Sequence, residues 1–169
     1  YRSSAGKVSG STINVNCNGI DINGMISVGT NEYAANVSGN TITTAEGTPI
    51  TAYAGALAEI HDNTVSGAAE GSGIGVQSSR VTIHGNTIGP IGGWNGIWLY
   101  GSFDVDAQNN TITNTAKEPV MAGDYWAGDN PDVRRLYFAN NEVTVPGTGM
   151  CQSSKYWGGE FPCSLVQVH

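Results

Sequence analysis

Ile60-His61-Asp62-Asn63-Thr64-Val65 is followed 23 residues later by Ile83-His84-Gly85-Asn86-Thr87-Ile88. The triplet at the centre of this phrase recurs in phase on both sides, as Asn40-Thr41-Ile42 and Asn110-Thr111-Ile112, so the four asparagines stand 23, 23 and 24 residues apart. Weaker copies flank them: Asn18-Gly19-Ile20 lies 22 residues before Asn40, and Asn141-Glu142-Val143 lies 31 after Asn110. A fixed period in the low twenties marks a repeat architecture in which each unit stacks only on its neighbours.

Each unit carries two apolar couples. The first brackets the triplet: Val15/Ile20, Val37/Ile42, Ile60/Val65, Ile83/Ile88 and Phe138/Val143. The second alternates about ten residues later: Ile26/Val28, Ile50/Ala52, Ile74/Val76, Ile97/Leu99 and Val120/Ala122. Alternation at period two reads as short strands with one buried face. Gly67, Gly71-Ser72-Gly73, Gly89-Pro90 and Gly92-Gly93 fall between the couples and read as turns. No stretch sustains a 3.6-residue apolar stripe, so helices should be nearly absent. Two or three short strands per unit describe a coil of a parallel β-solenoid, with coils stacked at about 4.8 Å.

The recurring asparagine then has a structural task. Its amide offers both a donor and an acceptor. Stacked in register, Asn18, Asn40, Asn63, Asn86, Asn110 and Asn141 would bond to one another and to turn backbone, satisfying buried polar groups at a bend.

The phrases Glu59-Ile60-His61-Asp62-Asn63-Thr64-Val65, Val81-Thr82-Ile83-His84-Gly85-Asn86-Thr87-Ile88 and Asn95-Gly96-Ile97-Trp98-Leu99-Tyr100 resemble the right-handed parallel β-helix repeats of NosD-like proteins. These belong to the wider class of carbohydrate-binding proteins and sugar hydrolases. The resemblance covers residues 12–145. It implies an all-β, single-stranded right-handed parallel β-helix of about six to seven coils of about 23 residues. The class holds polysaccharide lyases, hydrolases and epimerases, and also adhesins and surface-layer components. The chain departs from the motifs expected of pectate lyases, polygalacturonases and mannuronan epimerases, and fold alone does not choose an activity.

One domain is expected over 1–169. Residues 1–11 are too polar for an ordinary coil and read as an N-terminal cover. Repeat coils run over 12–145 with an inserted loop at 114–135, because the 31-residue interval after Asn110 exceeds the period by about eight. An irregular segment, 146–169, ends in the strand-like Leu165-Val166-Gln167-Val168. Cys151 and Cys163 bracket a stretch rich in Gly, Ser and aromatics, and a disulfide closing it would stabilise by about 2–3 kcal/mol. Such a bridge implies an oxidising compartment, hence an extracellular or cell-surface location. Cys17 reads as a buried single thiol.

Only seven residues are Lys or Arg and the net charge is −7, which argues against a basic footprint for nucleic acid or anionic membranes. No apolar run approaches the roughly 20 residues of a membrane span, so direct membrane insertion is not expected. The expected partners are a polysaccharide or surface glycan, and a second copy of the chain by coil stacking.

Loops on a rigid scaffold are where function concentrates. The inserted loop holds Asp124, Tyr125, Trp126, Asp129 and Asp132, followed by Arg134 and Arg135. Trp94, Trp98 and Tyr100 stand nearby in sequence and, with Tyr125 and Trp126, make the candidate carbohydrate-binding set, since sugar rings stack on aromatic faces. An adhesive or structural glycan-contacting module is the first reading. A polysaccharide lyase or hydrolase is the alternative, with Asp104, Asp106, Asp124, Asp129 and Asp132 as available carboxylates for hydrolysis, and Asp124, Asp129 and Asp132 with Arg134 or Arg135 to neutralise a uronate for a lyase. Acidic loops also bind Ca2+, but neither an EF-hand nor a nonapeptide calcium signature is present, and no cofactor is expected. His61 and His84 fall in register and read as polar strand positions rather than ligands. A third reading is ice binding through the outward pairs Thr41/Thr43, Thr64/Ser66, Thr87/Gly89 and Thr111/Thr113, an array that Gly89 and Glu142 interrupt and whose plainer explanation is that Thr favours exposed strand positions. Sequons occur at Asn36 and Asn109.

Overall fold

The computed structural model describes residues 6–24, 35–122, 134–144, 150–151, 161–162 and 166–168. Among these residues there is no helix. Strands fall into three parallel sheets of six. The first sheet stacks β1 (Lys7–Ser9), β4 (Ala35–Ser38), β7 (Leu57–His61), β10 (Arg80–His84), β13 (Phe103–Gln108) and β16 (Arg134–Ala139). The second stacks β2 (Thr12–Val15), β5 (Thr41–Thr44), β8 (Thr64–Gly67), β11 (Thr87–Ile91), β14 (Thr111–Thr113) and β17 (Glu142–Thr144). The third stacks β3 (Ile20–Asn23), β6 (Ile50–Tyr53), β9 (Ile74–Gln77), β12 (Ile97–Tyr100), β15 (Val120–Ala122) and β20 (Val166–Val168). A two-stranded antiparallel pair, β18 (Met150–Cys151) and β19 (Phe161–Pro162), precedes β20. The chain visits the sheets in turn, so this is a parallel β-solenoid, as the repeat implies.

The apolar couples become columns. Val8, Val37, Ile60, Ile83, Ala107 and Phe138 line the inner face of the first sheet. Ile13, Ile42, Val65, Ile88, Ile112 and Val143 line the second. Two columns headed by Ile20 and Ile22 line the third. Ile42, Ile60, Ile83, Ile88, Ile97 and Leu99 are wholly excluded from solvent, each stabilising by about 1.5–3 kcal/mol. From each first-sheet core residue to its second-sheet partner the interval is always five residues: Val8 to Ile13, Val37 to Ile42, Ile60 to Val65, Ile83 to Ile88, Ala107 to Ile112 and Phe138 to Val143.

The asparagine ladder fills that constant corner. Asn40, Asn63, Asn86 and Asn110 are each 1 % exposed. The Oδ1 of Asn63, Asn86, Asn110 and Asn141 accepts both the backbone N–H and the Nδ2 of the preceding asparagine, at 2.8–3.0 Å. Each Nδ2 also donates to backbone, as Asn86 does to Ile60 O at 2.9 Å and His84 O at 3.1 Å. The residue before each rung takes a left-handed turn: Gly10, Gly39, Asp62, Gly85, Asn109 and Asn140 have φ of 55–65°. Only Gly, Asn and Asp enter that region readily, which accounts for the residue types found there.

The first coil departs from the sequence reading. Asn18 is not a rung. Ser11 holds that position, its backbone N–H donating to Asn40 Oδ1 at 3.0 Å across 29 residues. Asn18 caps a different corner, accepting from Thr48 N and donating to Asp21. Val15 is 39 % exposed and Ile13 takes the core position. Ile20 moves to the third sheet with Ile22, while Ile26 and Val28 lie outside the described residues. The apparent 22-residue copy at Asn18 was a chance match to the period. The true first interval is longer because 25–34 is extra sequence between β3 and β4.

Boundaries shift accordingly. Lys7–Ser9 is the first strand of a sheet rather than part of a cover. The inserted loop is narrower than 114–135, since Thr115 bridges to Ile91 and Val120–Ala122 is β15. Cys17 is exposed, in the turn after β2, not buried. Cys151 lies in β18 and Cys163 falls outside the described residues, as does the bridge expected between them.

Candidate functional site

Two outward faces gather polar or aromatic chemistry. On the third sheet, alternation turns Trp98 and Tyr100 outward while Ile97 and Leu99 fill the core. Trp94 sits in the turn just before β12. Trp94 and Trp98 meet edge to face at 6.4 Å between centroids, and Trp98 and Tyr100 lie tilted at 5.5 Å. Three of the five aromatics chosen from sequence are therefore one cluster. Tyr125 and Trp126 lie outside the described residues.

The neighbouring strand packs closely under the cluster, and Gly75 is buried there. Trp98 pairs with Gly75 and Tyr100 with Gln77. A β-carbon on Gly75 would lie 3.9 Å from the Trp98 ring and 3.2 Å from Thr51 Cγ2, so a side chain there would crowd the floor of the platform. One strand further, Thr51 donates its hydroxyl to Asp21. Lys117 is buried, 5 % exposed, with its Nζ 4.4 Å above the Trp94 ring. That is a cation–π distance. Burial pushes the Lys117 amine below the usual lysine range, and the neighbouring Glu118 charge acts the other way. Glu118 is itself buried and holds Asn95 Nδ2 at 3.2 Å.

The first sheet carries a cluster that the sequence reading did not assemble. His61 and His84 pair in register and their rings stack at 4.9 Å, 4° from parallel. His61 Nδ1 contacts Asp62 at 2.8 Å, and His84 Nε2 lies 3.4 Å from Glu59. Asn36 donates to Glu59 at 3.0 Å and contacts His61 Nε2 at 3.1 Å. Hydrogen bonds from His84 and Asn36 hold the Glu59 carboxyl below the usual carboxylate range, against a smaller effect of burial. Beside it Leu57, Glu59, Arg80, Thr82 and Asp104 line an open groove of about 260 Å3, with Arg80 Nε paired to Asp104 at 3.2 Å. A signal for this face existed: Glu59, Thr82 and Asp106 each stand four residues before a ladder asparagine, one outward column in phase with the rungs.

The carboxylates Asp124, Asp129 and Asp132 lie outside the described residues. Arg134 and Arg135 open β16, where Arg134 pairs with Phe103. Among the described residues no three His, Cys, Asp or Glu side chains are placed to hold a metal ion. On the second sheet Thr12, Thr41, Thr64, Thr87 and Thr111 form one column, with Glu142 at its end. The adjacent column is interrupted, because the register shifts between Ile88 and Ile91. The threonine grid thus narrows to one column at β11.

Comparison with known proteins agrees with the architecture. No curated protein and no solved structure gives a match. A family model described as the right-handed beta helix region matches residues 23–156. That span takes in the ladder, both faces and most strands of all three sheets, and the chain belongs to the right-handed β-helix family.

Proposed function

We propose that this chain is a secreted or cell-surface β-solenoid that contacts glycans, serving as a structural or adhesive module. The observation that carries the reading is the Trp94–Trp98–Tyr100 cluster on the outer face of the third sheet, set beside Gly75, Gln77 and Thr51. Aromatic rings on a rigid strand offer large contact area at low entropic cost, and the amide and hydroxyl beside them suit sugar hydroxyls. Its acid excess and low charge density suit a protein outside the cell. Association between copies would run head to tail, because all three sheets are parallel and a heterologous contact of this kind propagates. Sedimentation and electron microscopy of dilute protein test that part.

The binding reading is tested by retardation of the protein in gels cast with soluble polysaccharides, alongside Trp98→Ala. Retardation lost in the variant supports it. No retardation by any neutral or acidic polymer refutes it.

The first-sheet groove favours a second reading, a polysaccharide lyase or hydrolase. An ionised Glu59 suits proton abstraction, Arg80 suits the carboxylate of a uronate, and Asp104 lies beside it. Release of new reducing ends from a polysaccharide panel, abolished in Glu59→Gln, would establish it. No release from any polymer rejects it.

A further inference from the structure

We infer that the first sheet carries a proton-operated switch: a second proton on His61 breaks the two-way bridge that Asn36 makes from β4 to β7. The proton positions follow from the partners. His61 Nδ1 lies 2.8 Å from Asp62 Oδ2, and an ionised carboxylate only accepts. The ring proton therefore sits on Nδ1, which leaves Nε2 as an acceptor. Asn36 Nδ2 lies 3.1 Å from that Nε2 and 3.0 Å from Glu59 Oε2. Both partners accept, so the nitrogen of the amide must face them. Its oxygen accepts from Ser38 Oγ at 2.9 Å. One amide thus ties β4 to two side chains of β7, and all of these contacts agree on a neutral His61 ring.

A second proton removes that agreement. With Nε2 protonated, two donors meet at 3.1 Å. Turning the amide over would satisfy the ring but set Asn36 Oδ1 against the Glu59 carboxylate, acceptor to acceptor. No orientation of Asn36 then serves both partners. Protonating His84 has no such cost, because its Nε2 lies 3.4 Å from Glu59 Oε1 and donates to it with the ring neutral or charged. The two rings, stacked at 4.9 Å and 4° from parallel, therefore divide their roles. His84 charges without losing a partner, and a charged His84 opposes charge on His61 at close range. The surrounding groups leave this asymmetry in place. Asp62, in the turn after β7, keeps its bond to His61 in either state. β4 presents the neutral Asn36 and Ser38. Arg80 of β10 is paired to Asp104 of β13, and Asp106 of β13 takes Gln108 Nε2 at 2.7 Å. Lys7 of β1 stands on the far side of Asn36. Glu59 stays ionised through mild acid, since hydrogen bonds from His84 and Asn36 hold its carboxyl below the usual range. Glu59 also lines the groove with Arg80, so the switch changes which partners hold a carboxylate of that groove.

The test is NMR of the whole chain, with the side-chain nitrogens of histidine and asparagine labelled, between about pH 8 and about pH 5, the range in which histidines charge. At the alkaline end His61 should show the Nδ1–H tautomer. The side-chain amide protons of Asn36 should then shift with the titration of His61 and not with that of His84. His61→Gln should leave the Asn36 signals flat, while His84→Gln should leave them titrating. A double-mutant cycle of Asn36→Ala and His61→Ala, followed by urea unfolding, reads the energetics. The coupling should favour the folded state by about fivefold at the alkaline end and be lost or inverted at the acid end. An Nε2–H tautomer for His61 at the alkaline end, Asn36 amide signals that stay fixed through the His61 titration, or a coupling that pH leaves unchanged overturns the inference. The tautomer and the titration are read in the wild type, so they serve even if a variant misfolds.

Discussion

Replacing Asn86 with alanine cuts the ladder at its middle. The side chain makes five hydrogen bonds: Nδ2 to Ile60 O, His84 O and Asn110 Oδ1, and Oδ1 from the N–H and Nδ2 of Asn63. Truncation strands the Asn63 backbone N–H in a corner where Asn63 is 1 % exposed. An orphaned buried donor costs about 1–3 kcal/mol, and each further bond contributes about 1 kcal/mol net. Asn63 keeps its own donations to Val37 O and His61 O, so the losses do not simply add. A destabilisation of about 4 kcal/mol is expected, near three decades in the folding equilibrium and at the upper end for a single substitution. Urea unfolding followed by circular dichroism reads it, with exposed Thr87→Ala as the control within about 0.5 kcal/mol. Asn86→Asp is the sharper companion. A carboxylate there faces the acceptors Ile60 O, His84 O and Asn110 Oδ1, so burial and these neighbours raise its folded pKa. A raised folded pKa gives stability that is present at low pH and lost as pH rises through it. The aspartate variant should therefore recover toward acid while the alanine variant does not. A loss under about 1 kcal/mol for Asn86→Ala would show that water replaces the amide, and the ladder would then be ornament to a stack held by its core.

Other consequences are open to measurement. Gly67→Ala should destabilise by well over the roughly 1 kcal/mol of a left-handed alanine, because φ is +93° and the new β-carbon would lie 1.9 Å from Thr44 O; Gly10→Ala, with nothing within 4 Å, should cost only that conformational term, and melting curves compare them. The Glu59 carboxyl should titrate below the usual carboxylate range by NMR. Its stabilising contribution should be present above the ordinary glutamate pKa and lost as pH falls through the depressed value, so wild type and Glu59→Gln converge in stability in acid. The Lys117 amine should titrate below the ordinary lysine range; because its folded pKa is depressed, the protein should gain stability as pH rises from that value toward the ordinary one, an effect absent in Lys117→Met.

The period was legible because one residue type repeats at one corner. Asn40, Asn63, Asn86 and Asn110 do the same work in successive coils, so the sequence prints the same letter. The first coil was misread for the same reason inverted: Ser11 contributes only a backbone N–H to the ladder, so no asparagine marks the rung, and Asn18-Gly19-Ile20 offered a false one. The other polar corners carried weaker signals, such as the buried Ser79 and Ser102, 23 residues apart. Asn18, Thr48 and Ser72 link across one of them, where Thr48 N meets Asn18 and Ser72 N meets Thr48, yet no two share a side chain. The cluster at Glu59, His61 and His84 depends on contacts between outward residues of neighbouring strands. Register had to be known before Asn36 could be seen to touch both Glu59 and His61.

The constant five-residue corner also governs how this solenoid can change over time. Added chain has entered elsewhere: 25–34 and 123–133 both fall where the path leaves the third sheet for the first, and 145–165 where it leaves the second for the third. An insertion at the ladder corner would push one asparagine out of line and strand donors on both sides. Whole coils are then the natural unit of duplication, cut and joined at equivalent rungs, while loops are free to lengthen on the other edges. Variation between relatives should pile up along those edges, leaving the asparagine edge as a fixed spine against which new surfaces are tried.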